Sequence, residues 1–315
     1  MSGTERTELR WRLAEEEDAG QQRLFEEPTG WHAGHGEFRG LEFLHVRAKR
    51  IINEVPAASR VPFRFTINAY RGCACHGCVY CFARPTHEYL GLNLGEDFER
   101  KIVVKINAVE RTRAEVASPK WAGDLIAMGT NTDPYQRPEG KYRLTRGIVE
   151  VLSDARNPFS ILTKSTLILR DLDVLVAATR RTRVHTALSV GTLDEKVWKA
   201  TEPGTPHPLR RLEAVARLNE CGVPAGVLLA PILPGLSDAP EQVAAVAKAA
   251  RDAGAISISP VVLHLRPGVR EHYMQWLERE RPDLLPLYAR LYPRSYAPKA
   301  YQEEVTAPAR KPPSA

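Results

Sequence analysis

The sequence predicts an α/β protein, a partial (β/α)6 barrel preceded by an N-terminal extension. Three observations predict it. From residue 63 onward, short β-branched or apolar runs alternate with longer helical patterns, the order that builds βα units and a parallel sheet. Six such pairs can be counted, and each strand candidate ends in polar or Gly/Pro residues. The strand candidates are near-continuous apolar runs, such as Gly-Val-Leu-Leu-Ala at 226–230, which suit a sheet covered on both faces. Right-handed βα units of this number curl into an open or partial barrel, and the barrel rule puts chemistry at the carboxyl ends of the strands.

The elements follow in order. Residues 1–58 read as an accessory segment: a polar, acidic stretch, a Gly/His-rich turn over 31–40, then a strand or short helix over 41–53. Residues 59–292 hold the barrel, with strands expected over 63–68, 124–129, 159–163, 184–189, 225–230 and 257–263. The clearest helices are expected over 144–155, 167–179, 209–221, 239–253 and 269–280, where apolar positions recur at three and four. In the third of these, Leu209, Leu212, Val215, Ala216 and Leu218 form one stripe, with Arg210, Arg211, Glu213 and Arg217 on the other side. Residues 293–315 read as a Pro-rich tail carrying Pro298, Pro308, Pro312 and Pro313.

Composition narrows the class. Of the 315 residues, 43% are hydrophobic and 26% charged, as in a soluble globular protein, and no apolar run nears the roughly 18 residues of a membrane helix. The first thirty residues are polar and acidic, without the apolar stretch of a secretory signal, so a cytoplasmic location is expected. The net charge of +6 is spread along the chain, which makes nucleic acid a candidate partner without singling it out.

The cysteines say more. Cys73, Cys75, Cys78 and Cys81 fall within nine residues, and Cys221 stands alone. Thiols so close together in a reducing compartment point to metal ligation. The loop directly follows the first barrel strand, so its thiols belong at the barrel's mouth. Three thiolates on a four-iron cluster leave one iron open to a small molecule, whereas a closed zinc site would draw on four of Cys73, Cys75, His76, Cys78 and Cys81. Zinc sites of that kind usually join two separated knuckles, and no second pair exists here. A non-catalytic zinc protein contacting nucleic acid is the alternative function.

At these residues the chain resembles a family. Cys78-Val79-Tyr80-Cys81 after the first strand of a six-unit βα barrel resembles the radical S-adenosylmethionine (SAM) superfamily. The stretches Tyr70-Arg71-Gly72-Cys73, Ala83-Arg84-Pro85-Thr86-His87-Glu88, Gly129-Thr130-Asn131-Thr132-Asp133-Pro134, Leu162-Thr163-Lys164-Ser165, Glu202-Pro203 and Ala230-Pro231-Ile232-Leu233-Pro234-Gly235 resemble the branch related to spore photoproduct lyase. The resemblance covers roughly residues 37–292. It implies a [4Fe–4S] cluster and SAM as cofactors, a one-electron reductant such as flavodoxin or ferredoxin, and a 5′-deoxyadenosyl radical that takes hydrogen from a substrate it does not name. A nucleic-acid lesion is one candidate substrate.

The resemblance also implies site residues. Cys73, Cys78 and Cys81 would hold the cluster, although the family spaces its thiols by three residues and then two, whereas Cys73 to Cys78 encloses four and Cys75 to Cys78 encloses two. Cys73 is favoured because Tyr70-Arg71-Gly72 precedes it, and Cys75 stays open. Tyr80 would border the adenine, or simply pack. Asn131 and Asp133 would hold the methionyl amino group, with an Asx turn at Asp133-Pro134 as the structural alternative. Lys164 and Ser165 would meet the carboxylate, or Ser165 would only cap the next helix. Ser189 and Arg211 are further candidate contacts. Among the histidines, His76 and His87 flank the thiols, and His264 ends the last strand.

Overall fold

Runs of Val, Ile, Leu and Phe at the expected places do become strands. In the computed structural model, which describes residues 30–56, 59, 61–74 and 77–310, these are β1 (Trp31–Ala33), β2 (Glu42–Val46), β3 (Ile52–Glu54), β4 (Phe65–Ile67), β5 (Tyr70–Arg71), β6 (Lys101–Lys105), β7 (Ile126–Met128), β8 (Phe159–Thr163), β9 (Val184–Ser189), β10 (Ala225–Ile232) and β11 (Ile258–Val262). The main sheet has the order β11-β10-β9-β8-β7-β4-β3. Its six strands β4 and β7 to β11 run parallel and follow one another in space as in the chain, with Phe65 opposite Ile126, Phe159 opposite Val184 and Val227 opposite Ile258. This is the partial (β/α)6 barrel.

The two faces of this sheet are not equally filled. Along β8 buried and half-buried residues alternate, and the half-buried Leu162 lines an interior cavity together with Leu228 and Pro231 of β10. A closed barrel packs its interior with side chains. Here the inner face at the strands' carboxyl ends borders open space, which is why side chains on continuous apolar runs are only partly covered.

Helices cover the outer face. Leu144–Asp154, Pro208–Glu220, Pro240–Asp252 and Val269–Glu280 lie where their apolar spacing puts them, and the 167–179 expectation resolves into a 3-10 segment, Thr166–Asp171, followed by the α-helix Leu172–Thr179. In Pro208–Glu220 the buried stripe is Pro208, Arg211, Leu212, Ala214, Val215 and Leu218, while Leu209 is half exposed. The stripe is therefore rotated from the expected one. Arg211 goes inside because the interior supplies it with a counter-ion and carbonyl acceptors, described below.

The ends of the chain are more structured than their composition implies. Within the accessory segment, β2 pairs in parallel with β6 and β1 lies antiparallel on β2, forming a small sheet of order β1-β2-β6-β5, while β3 extends the main sheet antiparallel to β4. Strands on both sides of residue 58 are thus interleaved. At the other end, Lys299–Arg310, expected as part of a Pro-rich tail, is a helix that buries Val305 and Ala309 and packs on Pro240–Asp252 and β11. Pro308 sits in its last turn, where it removes one ladder bond but leaves almost no helix beyond it to kink.

Candidate active site

The cysteine loop is held by groups from elsewhere in the chain. The Cys73 amide donates to Phe98 O at 2.9 Å, the Ala74 amide to Gln136 Oε1 at 2.9 Å, and Gln136 Nε2 to Gly72 O at 3.1 Å. Arg84, almost fully buried, donates to Cys78 O at 3.0 Å and Leu94 O at 2.7 Å and pairs with Glu99. Two glycines permit the path. Gly72 (φ 82°) and Gly77 (φ 91°) sit in the left-handed region, and a Cβ on Gly77 would meet Pro203 Cγ at 2.8 Å. Cys75 and His76 lie outside the described residues.

Cys73, Cys78 and Cys81 line one cavity of about 210 Å³ at the carboxyl ends of the parallel strands. Burial pushes the Cys81 thiol up to about 11, with Cys73 adding to it, and raises the Cys78 thiol well above its ordinary value, with Glu202 adding to it. Such thiols stay protonated until a cation replaces the proton. Among the described residues no set of three His, Cys, Asp or Glu is gathered for a single metal ion. The fit to a cluster therefore rests on the donor type and on three thiols facing one space.

The opposite walls carry polar groups. After β7, Thr132 donates to Gly72 O, and Asp133 accepts from Thr163 Oγ1 at 2.6 Å, the Tyr135 amide at 2.8 Å and the Lys164 amide at 2.8 Å. The Asp133 carboxylate thus closes its own turn, and burial raises its pKa despite those donors. Asn131 makes no side-chain hydrogen bond among the described residues and lines the cavity, so it is the amide left for a ligand. Ser189 Oγ donates to Ala230 O at 2.7 Å and accepts from Lys164 Nζ at 2.8 Å. Ser165 is not brought into this cavity; its Oγ accepts from the Leu167 amide at 3.2 Å as an N-cap and faces a neighbouring hollow lined by 203–206.

Glu202 ties these walls to the cysteine loop. It accepts from Lys164 Nζ and from the Arg211 guanidinium, each at 2.9 Å, and from the Tyr80 hydroxyl. Lys164 also lies 5.5 Å over the Tyr80 ring. Burial works against the Glu202 charge, but Lys164, Arg211 and Tyr80 outweigh it and hold its pKa below the usual value. Arg211 spends its remaining donors on Pro206 O, Ser189 O and Thr205. Glu202 follows the short helix Glu195–Thr201 and not a strand, and the Glu202-Pro203 motif by itself names neither its partners nor the anchoring roles of Gln136 and Arg84.

Two other expectations resolve away from the cavity. His87 Nε2 donates to Lys101 O at 2.9 Å, and the ring packs edge-on against Phe98, supporting the loop from behind. Cys221 caps the end of Pro208–Glu220 and does not line the cavity.

Comparison with known proteins adds the family. A family model described as the radical SAM superfamily matches residues 67–247. An uncharacterized protein of Mycobacterium tuberculosis is 42% identical over 268 residues, covering 85% of this chain and 78% of its own length. An uncharacterized protein of Methanocaldococcus jannaschii is 30% identical over 200 residues, covering 63% of this chain and 70% of its own. Among solved structures, a variant of spore photoproduct lyase superposes with a TM-score of 0.60 at 16% identity, over 84% of this chain and 76% of that one. Spore photoproduct lyase complexed with dinucleoside spore photoproduct gives 0.55 at 18% identity, over 78% and 69%. At these identities the likeness is one of fold.

Proposed function

This chain belongs to the radical SAM superfamily and is an enzyme of that class, and on that premise we propose that its cavity binds a [4Fe–4S] cluster and SAM to oxidise a C–H bond of a substrate by hydrogen abstraction. Family membership at this similarity sets aside the non-catalytic zinc alternative. One observation carries the proposal: three thiols from one loop and the ends of β7, β8 and β9 converge on one cavity with an amide and an ammonium.

When bound, the cluster and SAM supply one-electron cleavage of a sulfonium bond and hence a 5′-deoxyadenosyl radical. The chain's own residues bind, orient and exclude water. Cys78 and Cys81, with Cys73 as the favoured third thiol, hold the cluster as thiolates. The Asn131 carbonyl accepts from the methionyl ammonium. Lys164 spends two contacts on Glu202 and Ser189, and its third N–H suits the methionyl carboxylate. Ser189 and Tyr80 fix that lysine and the loop rather than the ligand alone. Apolar walls of Leu162, Leu228, Val262 and Leu263 keep water from a reactive carbon centre. A flavodoxin or ferredoxin type of reductant supplies the electron.

The test is the EPR spectrum of protein reconstituted anaerobically with iron and sulfide and reduced with dithionite, with and without SAM. A four-iron signal that changes on adding SAM is expected. Stoichiometric zinc without that signal would overturn the proposal.

A further inference from the structure

Three aromatic rings meet at the rim of the cavity. Phe82 directly follows the third thiol, His264 lies just beyond β11, and Tyr296 comes from the segment leading into the C-terminal helix. The His264 ring centroid is 6.0 Å from that of Phe82, at an interplanar angle of 37°, and 5.6 Å from that of Tyr296, at 24°. Backbone pairing sets this alignment: His264 and Tyr296 form an antiparallel bridge, and the Leu265 amide donates to Ser295 O at 2.8 Å. Phe82, Val261 and His264 also line the cavity.

This rim is left open to solvent. Phe82 is 44% exposed, Tyr296 47% and Val261 40%, so a contiguous apolar strip continues the cavity wall outward. Contiguous apolar surface of this kind marks a binding site more often than scattered single residues do. Burial, with Arg266 adding to it, keeps the His264 ring neutral, so it stacks without a charge to solvate. Arg266 itself is exposed and makes no side-chain hydrogen bond or ion pair among the described residues. Its guanidinium is a cation two residues from the ring ladder.

We propose that Phe82, His264 and Tyr296 form a stacking shelf for a planar aromatic ring of the substrate, and that Arg266 receives an anionic group carried by the same molecule. The identification of the occupant as substrate rests on the function proposed above; the shelf itself does not. Stacking tolerates any ring with a π-face, and the cation selects among them for negative charge.

The experiment is saturation-transfer NMR on the metal-free and the reconstituted protein, with four probes. Thymidine 5′-monophosphate and indole-3-acetate combine ring and anion, thymidine has the ring alone, and ribose 5-phosphate the anion alone. Both combined probes are expected to bind more tightly than either half, and a preference between them tells a pyrimidine base from an indole. Phe82→Leu and Tyr296→Leu, at half-exposed positions that leave folding intact, should each weaken the combined probes at least about fivefold. Arg266→Gln should remove the preference for the nucleotide over thymidine while thymidine binds as before. SAM affinity of the reconstituted protein should not change in Tyr296→Leu or Arg266→Gln, which lie outside the cavity lining. Wild-type probe affinity in both leucine variants would overturn the shelf. A parallel loss of SAM affinity in Tyr296→Leu would overturn it too, by assigning the rings to the adenine of SAM. Failure to assemble a cluster would sink the functional reading, yet the metal-free measurement would still decide the shelf.

Discussion

Replacing Glu202 by alanine is expected to cost more stability than any other single truncation at the cavity. The Glu202 side chain is 3% exposed, and Arg211, its partner at 2.9 Å, is wholly buried. At an effective dielectric of about 20, unit charges at that separation attract by about 6 kcal/mol, and desolvation cancels much of this in the intact pair. Removing one partner leaves the other charged, buried and unpaired, which typically costs about 3–5 kcal/mol. That is a large share of the roughly 5–15 kcal/mol that holds a domain folded. Glu202→Gln, which keeps the shape but not the charge, should fall between wild type and alanine. Arg211→Met combined with Glu202→Ala should recover part of the loss, since the wholly buried guanidinium is gone and only the partly exposed Lys164 ammonium lacks its anion. Because the folded-state pKa of Glu202 is lowered from 4.5, its contribution is full above about pH 4.5 and fades as pH falls through the folded value. The acid limb of the stability profile should therefore be shallower in Glu202→Gln. Urea unfolding followed by circular dichroism and tryptophan fluorescence measures each quantity. A Glu202→Ala protein within about 1 kcal/mol of wild type, or a double variant no more stable than Glu202→Ala, would refute the reasoning.

Three further outcomes are expected. Gly129→Ala should leave little soluble folded protein, because Gly129 has φ 88° and a Cβ there would stand 1.9 Å from Leu162 O, a backbone atom that cannot step aside; a normal circular dichroism melt would contradict this. Iron content after reconstitution should collapse in Cys78→Ala and in Cys81→Ala, and of Cys73→Ala and Cys75→Ala only one should follow; a full iron load in both would mean that the loop exchanges ligands. Lys105, buried in β6, has its pKa lowered from 10.5 to about 7, chiefly by burial and then by Arg71. The unfolded chain binds the extra proton between those values, so stability should rise with pH from about 7 to 10.5, by at most ~1.4 kcal/mol per unit from this group. Lys105→Met should flatten that rise, as read by melting temperature across about pH 7 to 10, and an unchanged slope would remove Lys105 as its source.

Local pattern was enough for the barrel. The strands 159–163 and 184–189 and the helix 269–280 occupy the residues their periodicity indicates, because a strand or helix interior is chosen by neighbours one to four residues away. The thiol loop was legible for the same reason: soft donors packed into nine residues announce metal chemistry wherever they fold, and their place after the first strand put them at the mouth. The family resemblance, at motifs that follow the strands, likewise pointed to Asn131, Asp133, Lys164 and Ser189.

What only the tertiary structure decided depends on partners distant in the chain. Asn131 and Asp133 are alike in sequence terms, yet one faces the cavity unbonded and the other is consumed by Thr163 and the Lys164 amide some thirty residues on. Arg211 reads as a solvated charge on its helix until Glu202, Pro206 O and Ser189 O are seen to receive it inside. The pairing of β2 with β6, and the helix that 299–310 forms against 240–252, are likewise absent from local propensity. A residue's own chemistry determines what it can bond. Whether it is spent on the fold or left for a ligand is settled by which groups the packed chain brings within about 3 Å, because an unpaired polar group or charge is costly to bury.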